Sequence, residues 1–313
     1  PHLQSIFRQY QMPPLERIAL RKSRIAKVAN QLLSKARVLK RALSVSVPFS
    51  SIEDPQTYQQ TLRNAIQLQL PRFELATQYF FTGHKVSELN RFLNSLTGEK
   101  HSVHLSNRAV IEVDEPLWLP TNVLIDGHGT HLVAMTPISP ACVHITQNNV
   151  GVTNLTIQTP GLALLLQNAR QVILRNLQIP NSERGIAIIE SGQFIELVDI
   201  LIHRPRGGML IQGAVSHLWL HDSYILHGSR ADNGGAGVVI TDSCLKATVE
   251  EHSWGVSLTE PLWPLNPPAP HALLIENNEL SGHVAQGIYV DGGYGIVIRH
   301  NRIADNDKEG LCL

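Results

Sequence analysis

One repeated pattern in the second half of the chain constrains the fold more than any other feature. Six consecutive stretches vary a single unit: apolar residues on alternate positions, Asn or Asp two residues after an apolar one, a second apolar residue, a polar loop and a glycine. Alternation of this kind is typical of a β-strand with one buried face. The repeat therefore predicts the coils of a solenoid. The Asn or Asp positions are Asn154, Asn176, Asp199, Asp222 and Asn277, and the sixth unit has His300 and Asn301 there.

The spacing of the closing glycines gives the length of a coil. The glycines are separated by 24, 23, 29, 50 and 23 residues, at Gly161, Gly185, Gly208, Gly237, Gly287 and Gly310. The 50-residue step holds one asparagine unit, so it predicts one coil with an insertion over about 244–270. Because stacked coils lie ~4.8 Å apart, we expect the Asn side chains to form an amide ladder inside a bend. The glycines are expected to allow the sharp turn into the next strand.

Two further segments resemble a known superfamily. SELNRFLNSL followed by SNRAVIEVDEPLWLPTNVLIDGHGT, together with the coils, is similar to the pectate-lyase-like superfamily over about residues 84–313. The resemblance implies an all-β solenoid: a right-handed single-stranded parallel β-helix with an N-terminal α-helical segment and a capping helix. A cap is needed because the first coil would otherwise expose strand edges and core. Many members act on polysaccharides, and the resemblance favours a periplasmic or extracellular location.

The first part of the chain differs from the coils. Residues 1–47 are predicted to be a basic amphipathic helical arm, and residues 48–83 a linker and helical segment with a helix near 56–68. The β-helix would follow over 84–313, with its capping helix near 85–96. The arm could contact its own domain or a partner subunit, and an anionic membrane or polyanion surface is the alternative. Its basic residues outnumber one acid, Glu16: Arg8, Arg17, Arg21, Lys22, Arg24, Lys27, Lys35, Arg37, Lys40 and Arg41.

Composition excludes several classes of protein. The net charge is zero and 5% of the residues are aromatic, so nothing indicates nucleic-acid binding. Three cysteines lie far apart, which argues against a disulfide scaffold or a structural zinc site. No run approaches the roughly 18 apolar residues of a membrane span. The missing initiator Met indicates that the true N-terminus, with any export signal, has been removed, and the coil that begins at Gly310 predicts either a longer natural chain or a missing C-terminal cap.

The resemblance implies a groove along one outer sheet, lined by outward strand residues and by the loops before them. Proton abstraction from a uronic acid needs a cation for the carboxylate, a base for the C5 proton, and an acid. Arg206 or Arg230 could supply the cation, His203 or His227 the base, and Tyr289 the acid. Substrate contacts are predicted for Arg204, Asp232, Gln212, Thr241, His283 and Asp291. The leading hypothesis is a lyase or C5-epimerase acting on an acidic polysaccharide.

Two other functions stay open. A noncatalytic β-helix could bind glycan as a surface, phage or assembly protein. A glycoside hydrolase would need two carboxylates, for which Asp232 and Asp291 are candidates, although the NTD, paired-Asp and RIK motifs of polygalacturonases are missing. His128 lies in a GHG sequence similar to theirs, but in the opening turn, so we interpret the match as coincidence. No metal site is predicted; calcium between loop carboxylates stays open, at Asp232, Asp291, Asp305 or Asp307.

Overall fold

The computed structural model describes residues 55–96, 99–228, 237–241, 270–291 and 293–312. These residues form a right-handed parallel β-helix of about eight turns with two helices, which confirms the predicted fold class. The helices are α1 (Pro55–Gln69) and α2 (Val86–Ser95). The strands are β1 (Thr77–Phe81), β2 (His101–Leu105), β3 (Val110–Glu112), β4 (Leu117–Trp118), β5 (Val123–Val133), β6 (Val143–Ile145), β7 (Asn148–Gln158), β8 (Leu162–Pro180), β9 (Arg184–His203), β10 (Gly207–Gln212), β11 (Ala214–His221), β12 (Tyr224–Leu226), β13 (Val238–Thr241), β14 (His271–Glu276), β15 (Glu279–Ser281), β16 (Ile288–Asp291), β17 (Tyr294–Arg299), β18 (Arg302–Ala304) and β19 (Leu311–Cys312).

Every strand pairing is parallel, and each coil contributes to three faces. Face A contains β1, β2, the first halves of β5 and β7, the middle of β8 and β9, then β11, β14 and β17. Face B contains β3, the ends of β5, β7, β8 and β9, then β12, β15 and β18. Face C contains β4, β6, the starts of β8 and β9, then β10, β13, β16 and β19.

The interior is a continuous apolar core filled by every second strand residue. Ile288 and Val290 are buried, while Tyr289 between them is partly exposed, as the alternation of apolar residues predicts. The same alternation holds on the other faces, so a hydrophobic column runs through all the coils. Burial of this apolar surface is the main force that holds the coils in register.

The repeated Asn or Asp marks the corner between faces A and B, but its side chain does not line the interior. The backbone there is left-handed, with φ between 49° and 57° at Asn154, Asn176, Asp199, Asp222, Asn277 and His300. Asn and Asp tolerate this conformation better than other side chains. Asn176 Nδ2 donates to Asn154 Oδ1 at 2.7 Å, yet Asn176 is exposed. The predicted internal ladder is therefore corrected: this one lies on the outside.

A buried polar ladder lies one residue further along, in the later coils. There the inward position changes from aliphatic residues to Ser223, Asn278 and Asn301. The Ser223 N–H donates to Asn278 Oδ1 at 3.0 Å, and the Asn278 N–H donates to Asn301 Oδ1 at 2.9 Å. Asn278 Nδ2 also donates to the Leu220 carbonyl oxygen. These bonds satisfy backbone groups that the tight corner leaves unpaired inside the protein.

The closing glycines are needed for close approach rather than for a sharp turn. None of the described closing glycines has a positive φ. A Cβ atom on Gly208 would lie 2.1 Å from the carbonyl oxygen of Gly237, and one on Gly237 would lie 2.7 Å from that of Gly287. Adjacent coils therefore touch through their backbones at this corner, and any side chain would push them apart.

Helix α2 covers the first coil as predicted. Val86, Leu89 and Leu93 are buried and belong to the same core as the strands. Asn90 also replaces a missing strand neighbour: its Oδ1 accepts from the Trp118 N–H at 3.0 Å, and its Nδ2 donates to a backbone carbonyl. The cap thus buries apolar surface and satisfies backbone groups at the open edge.

Helix α1 and strand β1 lie in the predicted linker segment. Strand β1 pairs in register with β2 and adds a strand to face A. Helix α1 packs on the outside of face A, where Leu62 and Ile66 contact Trp219 and Leu274. The predicted arm over residues 1–47 and most of the insertion over 244–270 lie outside the described residues. Strand β14 pairs directly with β11, so these two strands belong to adjacent coils.

Candidate functional site

Two predicted catalytic residues, His203 and His227, meet where face B turns into face C. His203 ends β9 beside Leu226 of the next coil, and His227 follows β12. Their ring centroids are 5.6 Å apart in an edge-to-face arrangement. Arg204 and Arg206 follow on the coil of His203. We call His203, Arg204, Arg206 and His227 the histidine corner.

The environment of His203 favours its neutral form. Burial lowers the pKa of this imidazole below its usual range, and the nearby charges of Arg204 and His227 lower it further. A neutral imidazole has a lone pair that can accept a proton. The histidine corner therefore has a base next to cationic side chains.

The two arginines of the corner differ in their partners. Arg206 Nη1 lies 3.0 Å from Glu183 Oε2 of the preceding coil, so part of its charge is already paired. Arg204 is exposed and adjoins His203 in the chain. Arg204 is thus better placed than Arg206 to meet an incoming carboxylate.

The predicted substrate contacts on face C form a second group. Gln212 and Asp291 both lie beside Thr241 in register, as expected for vertical neighbours. Gln212 is five residues along β10 from Gly207, which corresponds to roughly 16 Å of extended strand. The predicted groove residues therefore form two groups. The histidine corner lies before face C, and Gln212, Thr241 and Asp291 lie at the far end of that face.

Tyr289 lies apart from the histidine corner. It pairs with Val239, which pairs with Leu210, so two strand spacings, about 9.6 Å, separate Tyr289 from the coil after His203. This distance does not suit the role of acid opposite His203. His227 is much closer to His203.

His283 is an interior residue, which corrects its predicted substrate contact. It is only 1% exposed. Its Nδ1 accepts from the Gly228 N–H at 3.3 Å, and its Nε2–H donates to the Ile225 carbonyl oxygen at 2.9 Å. The ring joins neighbouring coils because it lies inside the turn, a position that alternation along a strand does not predict.

Four other predicted residues have no described side chain. Arg230 and Asp232 lie outside the described residues, and for Thr241 and Asp291 only the backbone is described. The cation role of Arg230, the carboxylate pair for hydrolysis and the calcium alternative therefore stay predictions.

Sequence analysis missed a polar network on the outer surface of face C. His144 Nε2–H donates to Gln167 Oε1 at 3.1 Å, and Gln167 Nε2 donates to Glu190 Oε1 at 2.5 Å. Burial lowers the pKa of His144. The Trp118 ring, 45% exposed, lies 4.5 Å from the His144 ring. The outward alternate positions of the strands in the first coils are the sequence signal for this network.

Sequence analysis also missed a potential metal-binding group on the early coils. One ligand atom from each of His104, Asp126 and His128 lies within 4.8 Å of the other two. The GHG sequence containing His128 was interpreted as coincidence. Its partner His104 lies 24 residues earlier, and only the register of β2 with β5 reveals their proximity.

Comparisons with known proteins agree with the coils. A family model described as "Periplasmic copper-binding protein (NosD)" matches residues 142–313, more than half of the chain. No curated protein matches. Neither described helix is long and apolar enough to cross a membrane.

Solved structures with similarity include enzymes and an adhesin. Alginate lyase from Paenibacillus sp. str. FPU-7 is 9% identical over 75% of this chain and 99% of that one, with a TM-score of 0.40. The Azotobacter vinelandii mannuronan C-5 epimerase AlgE4 A-module is 13% identical over 68% and 65%, with a TM-score of 0.34. The Streptococcus pneumoniae surface adhesin PfbA is 10% identical over 82% and 89%, with a TM-score of 0.24. At such identities the activities in these names belong to those proteins.

Proposed function

The chain belongs to the NosD family, and we propose that this member is a periplasmic carbohydrate-active enzyme that removes the C5 proton of a uronate in an acidic polysaccharide. The observation that carries the proposal is the histidine corner, where a neutral imidazole lies beside a second imidazole and an exposed guanidinium. These are the three groups that the chemistry needs.

Arg204 neutralises the substrate carboxylate in this proposal. A C5 proton next to a carboxylate is hard to remove because the developing negative charge is delocalised onto a group that is already anionic. A guanidinium pairs with a carboxylate through two parallel hydrogen bonds and stabilises that charge. Arg206 adds a further positive charge, although Glu183 holds part of it.

His203 is the base and His227 the acid. His203 takes the C5 proton, and the electron pair of that C–H bond is delocalised onto the carboxylate that Arg204 neutralises. In a lyase the C4–O bond then breaks, a C4–C5 double bond forms, and His227 protonates the leaving oxygen. In an epimerase a proton returns to C5 from the opposite face. Positioned acid and base groups contribute about 10²–10⁴-fold each to such reactions.

Incubation of the chain with uronate polymers in D₂O tests the proposal. A lyase produces unsaturated ends that absorb ultraviolet light, and an epimerase incorporates deuterium at C5. We expect His203→Gln to reduce the rate by about 10²-fold or more. His300→Asn removes an exposed histidine from a distant corner and should leave the rate unchanged. If the wild-type chain gives neither signal with any acidic glycan, the proposed chemistry is wrong.

Noncatalytic glycan binding is the second candidate, because exposed aromatic rings lie on the outer surface. Tyr294 is 53% exposed and stacks parallel to His271, with 4.8 Å between the ring centroids. Tyr224 and Trp118 are also exposed on other faces. Aromatic rings of this kind pack against the apolar faces of sugars. This function predicts retention on an immobilised glycan with no product.

A further inference from the structure

A second group of ionisable side chains lies on face A, away from the histidine corner. His104 on β2 and Asp126 on β5 are in register on neighbouring strands. His128 follows in the segment Gly127–Gly129, where the register shifts before Thr130. Its backbone is left-handed, with φ at 48°. This bulge places a second imidazole beside the first one and the carboxylate, as bulges often do where a strand must redirect a side chain.

The ligand atoms have separations that suit one ion. His104 Nδ1 lies 2.9 Å from His128 Nε2, and Asp126 Oδ2 lies 3.7 Å and 3.5 Å from these nitrogens. Two ligands about 2.0 to 2.1 Å from a metal ion, and at a right angle, are about 2.9 Å apart. The two imidazoles therefore already have the spacing of adjacent ligands.

Outer hydrogen bonds prepare two of these atoms for a cation. His104 Nε2–H donates to Gln78 Oε1 in a close contact, which leaves the lone pair on Nδ1. Asp126 Oδ1 accepts from the His128 N–H at 3.2 Å and from Asn154 Nδ2 at 2.8 Å. Asp126 Oδ2 is then the oxygen nearer the imidazoles. Metal-binding histidines and carboxylates are typically oriented by partners of this type.

The cluster is partly shielded but open on one side. The side chains of His104 and Asp126 are each 20% exposed, and that of His128 is 44% exposed. Phe80 stacks on His104 with 5.3 Å between the ring centroids. A hollow of about 390 Å³ adjoins the two imidazoles, so water or a small ligand could complete the coordination; it is lined by Phe80, His104, Leu105, Ser106, Asn107 and His128.

We propose that His104, Asp126 and His128 bind a divalent transition metal, and that Cu²⁺ is the ion they fit best. Two imidazole nitrogens and one carboxylate oxygen suit Cu²⁺, which such ligands bind more tightly than the other common divalent ions. The three residues precede the segment matched by the NosD family model, so the family description assigns no role to them. The proposal is independent of the uronate chemistry.

Titration of the metal-free full chain with Cu²⁺ tests the site. Binding is detected by calorimetry and by electron paramagnetic resonance. We expect one tight equivalent whose spectrum shows coupling to two imidazole nitrogens. His128→Asn should weaken this equivalent by at least about tenfold, because Asn keeps the left-handed backbone but removes a ligand. Gln78→Leu, which removes the partner of His104, should weaken it by about tenfold.

His131→Asn is the matched control. His131 is exposed on the same strand as His128 but on face B, so its loss should leave the tight equivalent unchanged. The chain has 15 histidines, and weak binding at the surface is expected to be insensitive to all of these variants. Equal Cu²⁺ affinity in wild type and His128→Asn would overturn the proposal and leave only a hydrogen bond between imidazoles. If a variant fails to fold, a wild-type spectrum without coupling to two nitrogens overturns it as well.

Discussion

His217 is a histidine that the fold holds in a neutral state. It is 5% exposed, and neither ring nitrogen has a hydrogen-bond partner among the described residues. Burial lowers its pKa to about 4, with a further contribution from the charge of His271. The neighbouring ring of Phe194 has its centroid 4.8 Å away. Protonation of His217 therefore requires the native packing to loosen.

This burial predicts a loss of stability in acid. In the unfolded chain the His217 pKa returns to about 6.5, so the unfolded state binds the proton first as the pH falls. The stabilising contribution of neutral His217 is fully present above pH ~6.5 and is lost as the pH falls toward ~4. From the two pKa values, His217 should contribute roughly 2 kcal/mol to the loss between pH 7.5 and pH 5.

Urea unfolding of His217→Asn at pH 7.5 and pH 5 measures this contribution. Asn tolerates the left-handed backbone of this position, where φ is 53°. The pH-dependent loss should be smaller than in wild type by roughly 2 kcal/mol. His131→Asn, at an exposed position, should leave the loss unchanged. If His217→Asn loses as much unfolding free energy between pH 7.5 and pH 5 as wild type does, the pKa of His217 does not differ between the folded and unfolded states.

Besides its apolar contacts, helix α1 is joined to the coils by hydrogen bonds to one buried carboxylate, Glu276. Its side chain is 1% exposed and accepts hydrogen bonds from Arg63 at 2.5 Å, Gln59 at 2.7 Å and Trp219 Nε1 at 2.9 Å. Arg299 of the next coil donates at 3.0 Å. Burial alone would raise the pKa of this carboxyl, but the bonds from Arg63 and Arg299 outweigh it and lower the pKa. Glu276 thus links α1 to three coils.

Glu276→Gln should lower the free energy of unfolding by about 3 kcal/mol, because it leaves two arginines beside a neutral group. Arg302→Gln is the control, since Arg302 is 71% exposed and pairs with Glu279 at 3.6 Å. A surface pair of this kind contributes less than about 1 kcal/mol. Denaturation of both variants gives the comparison. Equal losses would mean that the buried network contributes no more than an exposed pair.

The sequence predicts helices and strands better than it predicts the contacts between them. Alternation identified the strands of the six repeated coils, and the helical spacing around Leu89 and Leu93 identified the cap, whereas strand β1 fell within the predicted linker segment. The docking of α1 was not predictable, because Glu276 and Arg63 are 213 residues apart and meet only after the coils form. The role of Asn278 was missed for a related reason: periodicity locates a corner but does not show which of two adjacent polar residues points inward.

At the scale of the whole molecule, register decides which residues become neighbours. The repeat fixes the length of a coil, and this was enough to place His203 near His227 and Gln212 in line with Thr241. It was not enough for His104 and His128, since the bulge in β5 changes the register locally. Neighbouring residues in the repeated coils were therefore easier to predict than those at the irregular opening turn.

Disulfide trapping tests this register directly. Thr156 of β7 lies beside Gln178 of β8 on face B, whereas Arg175 pairs with Thr153 three residues earlier. In a chain with Cys244 and Cys312 replaced by Ser, Thr156→Cys with Gln178→Cys should oxidise to a disulfide, because neighbouring strands bring the Cα atoms to about 5 Å. Thr156→Cys with Arg175→Cys should not. Rapid crosslinking of the second pair in place of the first would contradict the coil register on which both proposed sites depend.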